Sequence, residues 1–158
     1  MRGFDGVRFA RARADAGLSR GRLAQLAAIK SDETVRRWES GLCNPQVDLL
    51  RRALIALNGE LTRCGKPKVD VHEVIRIPEC DRRLSDWRCL RLFTQPELAA
   101  RAGIPVPSLT KLEAHERPLS EGAAARLGDA LDLPAAVIRE AYERNGLVAD
   151  TEDPLAGC

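Results

Sequence analysis

Aromatic side chains are scarce in this chain of 158 residues: Phe, Trp and Tyr together make up 4% of it. Any core must therefore be built from Leu, Ala, Val and Ile, and many of these fall at helical spacing. Histidine is limited to His72 and His115, and neither a Gly-rich phosphate loop nor a paired-carboxylate motif occurs, so no catalytic set is evident and no enzyme is expected. No apolar run approaches the roughly 20 residues of a bilayer span. The polar start Arg2-Gly3-Phe4-Asp5-Gly6 does not resemble a secretory leader. The expected location is the cytoplasm, beside the nucleoid, with Cys43, Cys64, Cys80, Cys89 and Cys158 mostly reduced. Cys64, His72, Cys80 and Cys89 lack the paired C-x-x-C knuckle that presents zinc ligands, so neither a metal nor another cofactor is expected.

An excess of one charge sign is also missing, but only in total. The net charge of +2 hides an asymmetry: residues 1–57 carry 11 Lys/Arg against 6 Asp/Glu, and residues 79–158 carry 10 against 14. A basic first half suits a polyanion such as DNA, and an acidic second half suits it far less.

What the chain does have is an internal repeat. Leu18-Ser19-Arg20-Gly21-Arg22-Leu23-Ala24, Ala27-Ala28-Ile29 and Ser31–Glu39 are echoed by Phe93-Thr94-Gln95-Pro96-Glu97-Leu98-Ala99, Ala102-Gly103-Ile104 and Val106–Glu113. Each copy reads as two short helices around a tight turn. Ser19 and Ser31 are N-caps, and Gly17 and Gly41 are stop signals. A helix is expected over 6–16 and another over 47–57, the latter with or without a break and stopped by Asn58-Gly59. Residues 60–80 are expected to be a linker, as a short strand, an extended packed segment or a small hairpin around Gly65-Lys66-Pro67. The second copy adds a helix capped by Ser120 and a last one that starts after Pro134 and closes at Asn145-Gly146. The expected division is 1–59, 60–80, 81–149 and a frayed tail over 150–158.

These motifs together resemble the Cro and phage-repressor type of helix-turn-helix, the XRE family, over about 8–58 and 83–146. The resemblance implies an all-α chain of two tandem lambda-repressor-like helix-turn-helix domains joined by a short extended or hairpin linker. It further implies two structural ion pairs, Arg13 with Glu39 and Arg88 with Glu113. Three features depart from the family pattern. The first turn is one residue longer, Trp38 stands where a small aliphatic is usual, and Pro105 and Pro107 open the second copy's third helix.

In such a fold the third helix faces base edges and the second helix holds the backbone. Val35 and Trp38 should face the core. Asp32, Glu33, Thr34, Arg36 and Arg37 are then the base-contact candidates, with Arg36 set for a guanine, Glu33 for a cytosine amino group and Thr34 for a thymine methyl. For Asp32 and Glu33, pairing with the helix dipole is an equal alternative. Ser19, Arg20, Arg22, Lys30 and Asn44 are the phosphate candidates. The second copy offers Gln95, Ser108, Thr110, Lys111 and Arg117. The expected function is a sequence-specific DNA-binding transcriptional regulator, most simply a repressor occupying an operator. Its partner is double-stranded DNA, bound as a homodimer or as an intramolecular pseudo-dimer, with no membrane involved. The second copy would read weakly or serve a protein contact. The rival reading is an antitoxin-like or other protein-interaction module with weak DNA binding.

Overall fold

The computed structural model describes residues 1–149; the tail expected to fray, 150–158, lies outside the described residues. The chain is all-helical, with no strand among the described residues. It divides into two compact units, Met1–Ile77 and a second from Pro78 onward.

The first unit contains α1 (Gly6–Asp15), α2 (Arg20–Leu26), α3 (Asp32–Glu39), α4 (Val47–Arg63) and α5 (Val71–Val74). The second contains α6 (Leu84–Leu90), α7 (Gln95–Ala102), α8 (Val106–Glu113), α9 (Glu121–Leu131) and α10 (Ala135–Ala149). Side-chain caps start most of them. Asp5, Ser19, Ser31 and Ser120 accept from backbone N–H groups three residues on, and Thr94 exchanges bonds with Glu97 in a capping box.

The stops repeat as closely as the starts. Left-handed backbone occurs at Gly17 and Leu92, at Ala28 and Gly103, and at Gly41 and His115, which are equivalent positions in the two copies. After each, the next N–H returns to the helix it has left. Leu18 and Phe93 bond to Arg13 and Arg88 carbonyls, both at 3.1 Å, and Ile29 and Ile104 to those of Ala24 and Ala99 at 2.8 and 3.0 Å. Leu42 and Glu116 close on Arg37 and Lys111 at 2.9 and 2.8 Å. The turns are thus the same up to Ile29 and Ile104. The first unit's extra residue falls just after Ile29, where Lys30-Ser31 stands against Pro105 alone.

Each unit has its own apolar core. Phe9, Leu23, Val35, Trp38, Leu50, Leu57 and Ile75 are buried in the first, where the Phe9 and Trp38 rings meet edge-on at 6.1 Å. Leu84, Leu98, Leu109, Leu127, Leu131 and Ile138 fill the second. Trp38 occupies the inward position that Leu112 takes in the other copy, and both are buried.

Two expectations about the middle of the chain are corrected. Asn58-Gly59 does not end a helix: α4 runs on to Arg63, because Leu61 continues the buried stripe of Leu50, Ala53, Leu54 and Leu57. The equivalent of that stop is used only in the second unit, where Asp132 is left-handed and Pro134 precedes α10. Of the readings for residues 60–77, the packed segment holds and the strand and the hairpin do not. Asp70 and Glu73 form a capping box around the single turn of α5. Ile75 then makes an isolated antiparallel bridge with Phe4, with bonds from Asp5 N to Val74 O and from Arg76 N to Gly3 O, both 2.8 Å. Val74, Ile75 and Ile77 are buried there, so this segment completes the first unit. The last helix likewise passes through Asn145-Gly146 and continues to Ala149.

Candidate nucleic-acid interface

The geometry of α2 and α3 is set by one buried carboxylate. Glu39 closes α3 and its side chain is 4% exposed; Arg13, from α1, is 14% exposed. Arg13 grips it with Nε–Oε1 at 2.5 Å and Nη2–Oε2 at 3.1 Å, while Nη1 donates to the Leu18 carbonyl at 2.6 Å. Three backbone elements are thereby tied to one planar group. The second unit repeats the arrangement. Arg88 holds Glu113 with Nε–Oε1 at 2.6 Å and Nη2–Oε2 at 3.0 Å, and donates to the Phe93 carbonyl at 3.0 Å.

A third donor completes each lock. Arg20 Nε reaches Glu39 Oε2 at 2.6 Å, and at the equivalent position Gln95 Nε2 reaches Glu113 Oε2 at 2.7 Å. Two residues expected to face DNA therefore also hold the fold. The Arg20 side chain is nevertheless 48% exposed. Burial alone would raise the Glu39 carboxyl, but the hydrogen bonds and charges of Arg13 and Arg20 outweigh it and hold the group below its ordinary value. Burial works against the Arg88 charge too, and the Glu113 carboxylate more than offsets it, so this guanidinium is raised.

On the outer side of α3 the cationic cluster is partly self-neutralised. Arg36, the guanine candidate, is clasped by Glu33 of its own helix, Nε–Oε2 and Nη2–Oε1 both at 2.6 Å. Their side chains are 51% and 53% exposed. The clasp lowers the Glu33 carboxyl and raises Arg36. Arg36 is thus not a free fork. Asp32 accepts from the Glu33 N–H at 2.9 Å, which is the role of a helix-start acid. Thr34 is half-buried and its hydroxyl lies 3.2 Å from that of Ser31. Arg37 and Lys30 are exposed and make no side-chain hydrogen bond or ion pair among the described residues.

The remaining phosphate candidates have local partners. Ser19 Oγ caps α2 by accepting from Arg22 N at 3.1 Å, and the Arg22 guanidinium donates to Gln25 at 2.7 Å. The Asn44 side chain donates to the Met1 carbonyl at 2.9 Å and so fastens the start of the chain. In the second unit Arg117 donates to Ser108 Oγ at 2.9 Å, and Thr110 Oγ1 donates to the Val106 carbonyl at 3.1 Å and lies 3.4 Å from Gln95 Oε1. Only Lys111 among that unit's candidates is exposed without such a contact among the described residues.

His115 ends α8 at φ +59°, where Gly41 ends α3. Its ring stacks on Tyr142 at 4.2 Å and lies where any side chain at Gly146 would be, so packing offsets the backbone strain. Cys43, Cys64, Cys80 and Cys89 are free thiols, and no group of three or more His, Cys, Asp or Glu among the described residues is placed to hold a metal ion. No helix among the described residues is long and apolar enough to cross a membrane.

One feature of the candidate site is not legible in the sequence alone: the sharing of Glu39 between Arg13 and Arg20. Its one trace there lies in the alignment of the copies, since Arg20 and Gln95 are both long donors one residue after the cap. The chain matches no family model, no curated protein and no solved structure.

Proposed function

We propose that this chain is a duplex-DNA-binding protein in which both units are lambda-repressor-like helix-turn-helix domains, the first of them carrying the grip on DNA. More particularly, it acts as a sequence-specific transcriptional repressor in the cytoplasm, by occupying an operator and with no catalytic step.

One observation carries this reading. A buried Arg–Glu lock ties α1 to α3, Arg20 joins α2 to it, and in this unit, with 15 Lys/Arg and 9 Asp/Glu over residues 1–77, Lys30 and Arg37 are left exposed and unpaired among the described residues. A rigid helix beside unpaired cations is what a major groove and its phosphates require. Arg20, half exposed, adds a third cation at the start of α2.

The second unit supports a protein-contact role better than a second grip on DNA. Residues 79–158 are acidic, and the outward hydroxyls of α8, Ser108 and Thr110, are taken up by Arg117 and Gln95. Charge reversal separates the alternatives. R36E/R37E should reduce duplex affinity at least tenfold, whereas K111E should change it less than threefold. Equal losses would mean that both units grip DNA. The footprint assigns the assembly: about one helical turn for one engaged unit, two or more for a homodimer or an intramolecular pair.

A further inference from the structure

The clasp between Glu33 and Arg36 is a like-for-like mimic of a base contact. A carboxylate offers two coplanar oxygens to the guanidinium fork, and the major-groove edge of guanine offers N7 and O6 in the same relation. Both side chains are about half exposed, so the pair is exchangeable rather than buried into the fold. Building on the DNA-binding reading above, we propose that Glu33 is a specificity-determining residue that makes Arg36 engage only at G·C pairs.

The exchange has two halves. Arg36 leaves two carboxylate oxygens and gains two guanine acceptors. Glu33 is left as a bare anion one turn toward the start of the same helix. In the major groove an anion is welcome only beside an amino donor, which cytosine N4 and adenine N6 both supply. What an A·T pair lacks is paired acceptors, because the adenine N6 donor separates N7 from the thymine O4, so Arg36 finds nothing there to repay the broken clasp. Glu33 thus costs affinity everywhere, and that cost is recovered only where Arg36 meets the paired acceptors of a guanine.

Glu33→Gln removes the anion at an exposed position and leaves α3's core residues Val35 and Trp38 in place. The assay measures duplex affinity by fluorescence anisotropy for the full chain and for E33Q. One duplex is a site selected from a random library by the unaltered protein; the other has the same length and contains only A·T pairs. E33Q should bind the A·T-only duplex about three- to tenfold more tightly, with a log–log salt slope steeper by about one. Its preference for the selected site should fall by about tenfold. Unchanged affinity and preference would overturn the proposal, as would a uniform loss on both duplexes. If the unaltered chain binds neither duplex in a salt-dependent way, the DNA reading itself fails, and that outcome is distinct from either of the others.

Discussion

Replacing Glu39 with alanine removes the acceptor on which α1, α2 and α3 converge. Arg13 is then left in a site where its side chain is 14% exposed, with only the Leu18 carbonyl for a partner. Deleting one member of a buried ion pair costs about 3–5 kcal/mol. The lower end applies here, because Arg20 is half exposed and turns to water, and because Arg13 keeps one of its acceptors. A unit of this size has roughly 4–12 kcal/mol in all, so the loss of about 3 kcal/mol removes a large part of its stability. E113A should cost the second unit a similar amount, since Arg88 is as deeply placed at 11% exposure. Each unit contains one tryptophan, Trp38 or Trp87, so W87F and W38F backgrounds report on them separately during urea unfolding. With a urea dependence of about 1–2 kcal/mol per molar, the midpoint of the affected unit should fall by about 1.5–3 M while the other stays put. A loss below about 1 kcal/mol in either unit would refute the claim that the carboxylate holds the helices together.

Three further outcomes follow from the same geometry. The Glu39 carboxyl is held below its ordinary value, so the stability it contributes is present above about pH 4.3 and lost as pH falls through the lower folded value; the gap in urea midpoint between the unaltered chain and E39Q should close as pH falls below about 4, and a gap that widens there contradicts the assignment. R20Q installs the residue that already holds Glu113 at 2.7 Å in the second unit, so stability should change by less than about 1 kcal/mol while the DNA salt slope weakens by about one; an unaltered slope would remove Arg20 from the phosphate contacts. The Asn58 side chain brackets Val69, donating to its carbonyl at 3.0 Å and accepting from its N–H at 2.8 Å, so N58A should cost about 1–2 kcal/mol and speed hydrogen exchange of the Val69 amide, whereas unchanged protection would show that Asn58 does not hold this segment.

Local signals were the legible ones. Ser19, Ser31 and Ser120 sit at helix starts and Gly17 and Gly41 past helix ends, because caps and left-handed stops depend on single residues. The inward setting of Val35 and Trp38 followed from spacing alone. The longer turn was also visible, and the structure adds where its extra residue goes. Partnerships across the fold were harder to read. Nothing near Arg20 in the sequence says that a carboxylate 19 residues on has a free oxygen for it, and nothing near Asn44 points to the chain start. Spacing on α3 leaves Glu33 equally suited to a base, to the helix dipole or to Arg36 three residues away, and only the folded side chains show that Arg36 takes it. The Asn58-Gly59 stop failed because the buried stripe through Leu61 outweighs a local cost of about 1 kcal/mol for a helical glycine. The valines and isoleucines of 69–77 alternate imperfectly because they fill one helical turn and one bridge, not a strand.

The most direct test of the account is the salt dependence of duplex binding by the intact chain. If the first unit neutralises about four phosphates, the log–log slope should be roughly −3 to −4, and affinity for a selected site should fall about a hundredfold between 50 and 200 mM salt. Binding that is absent from every duplex offered, or that changes less than about threefold over that range, contradicts it.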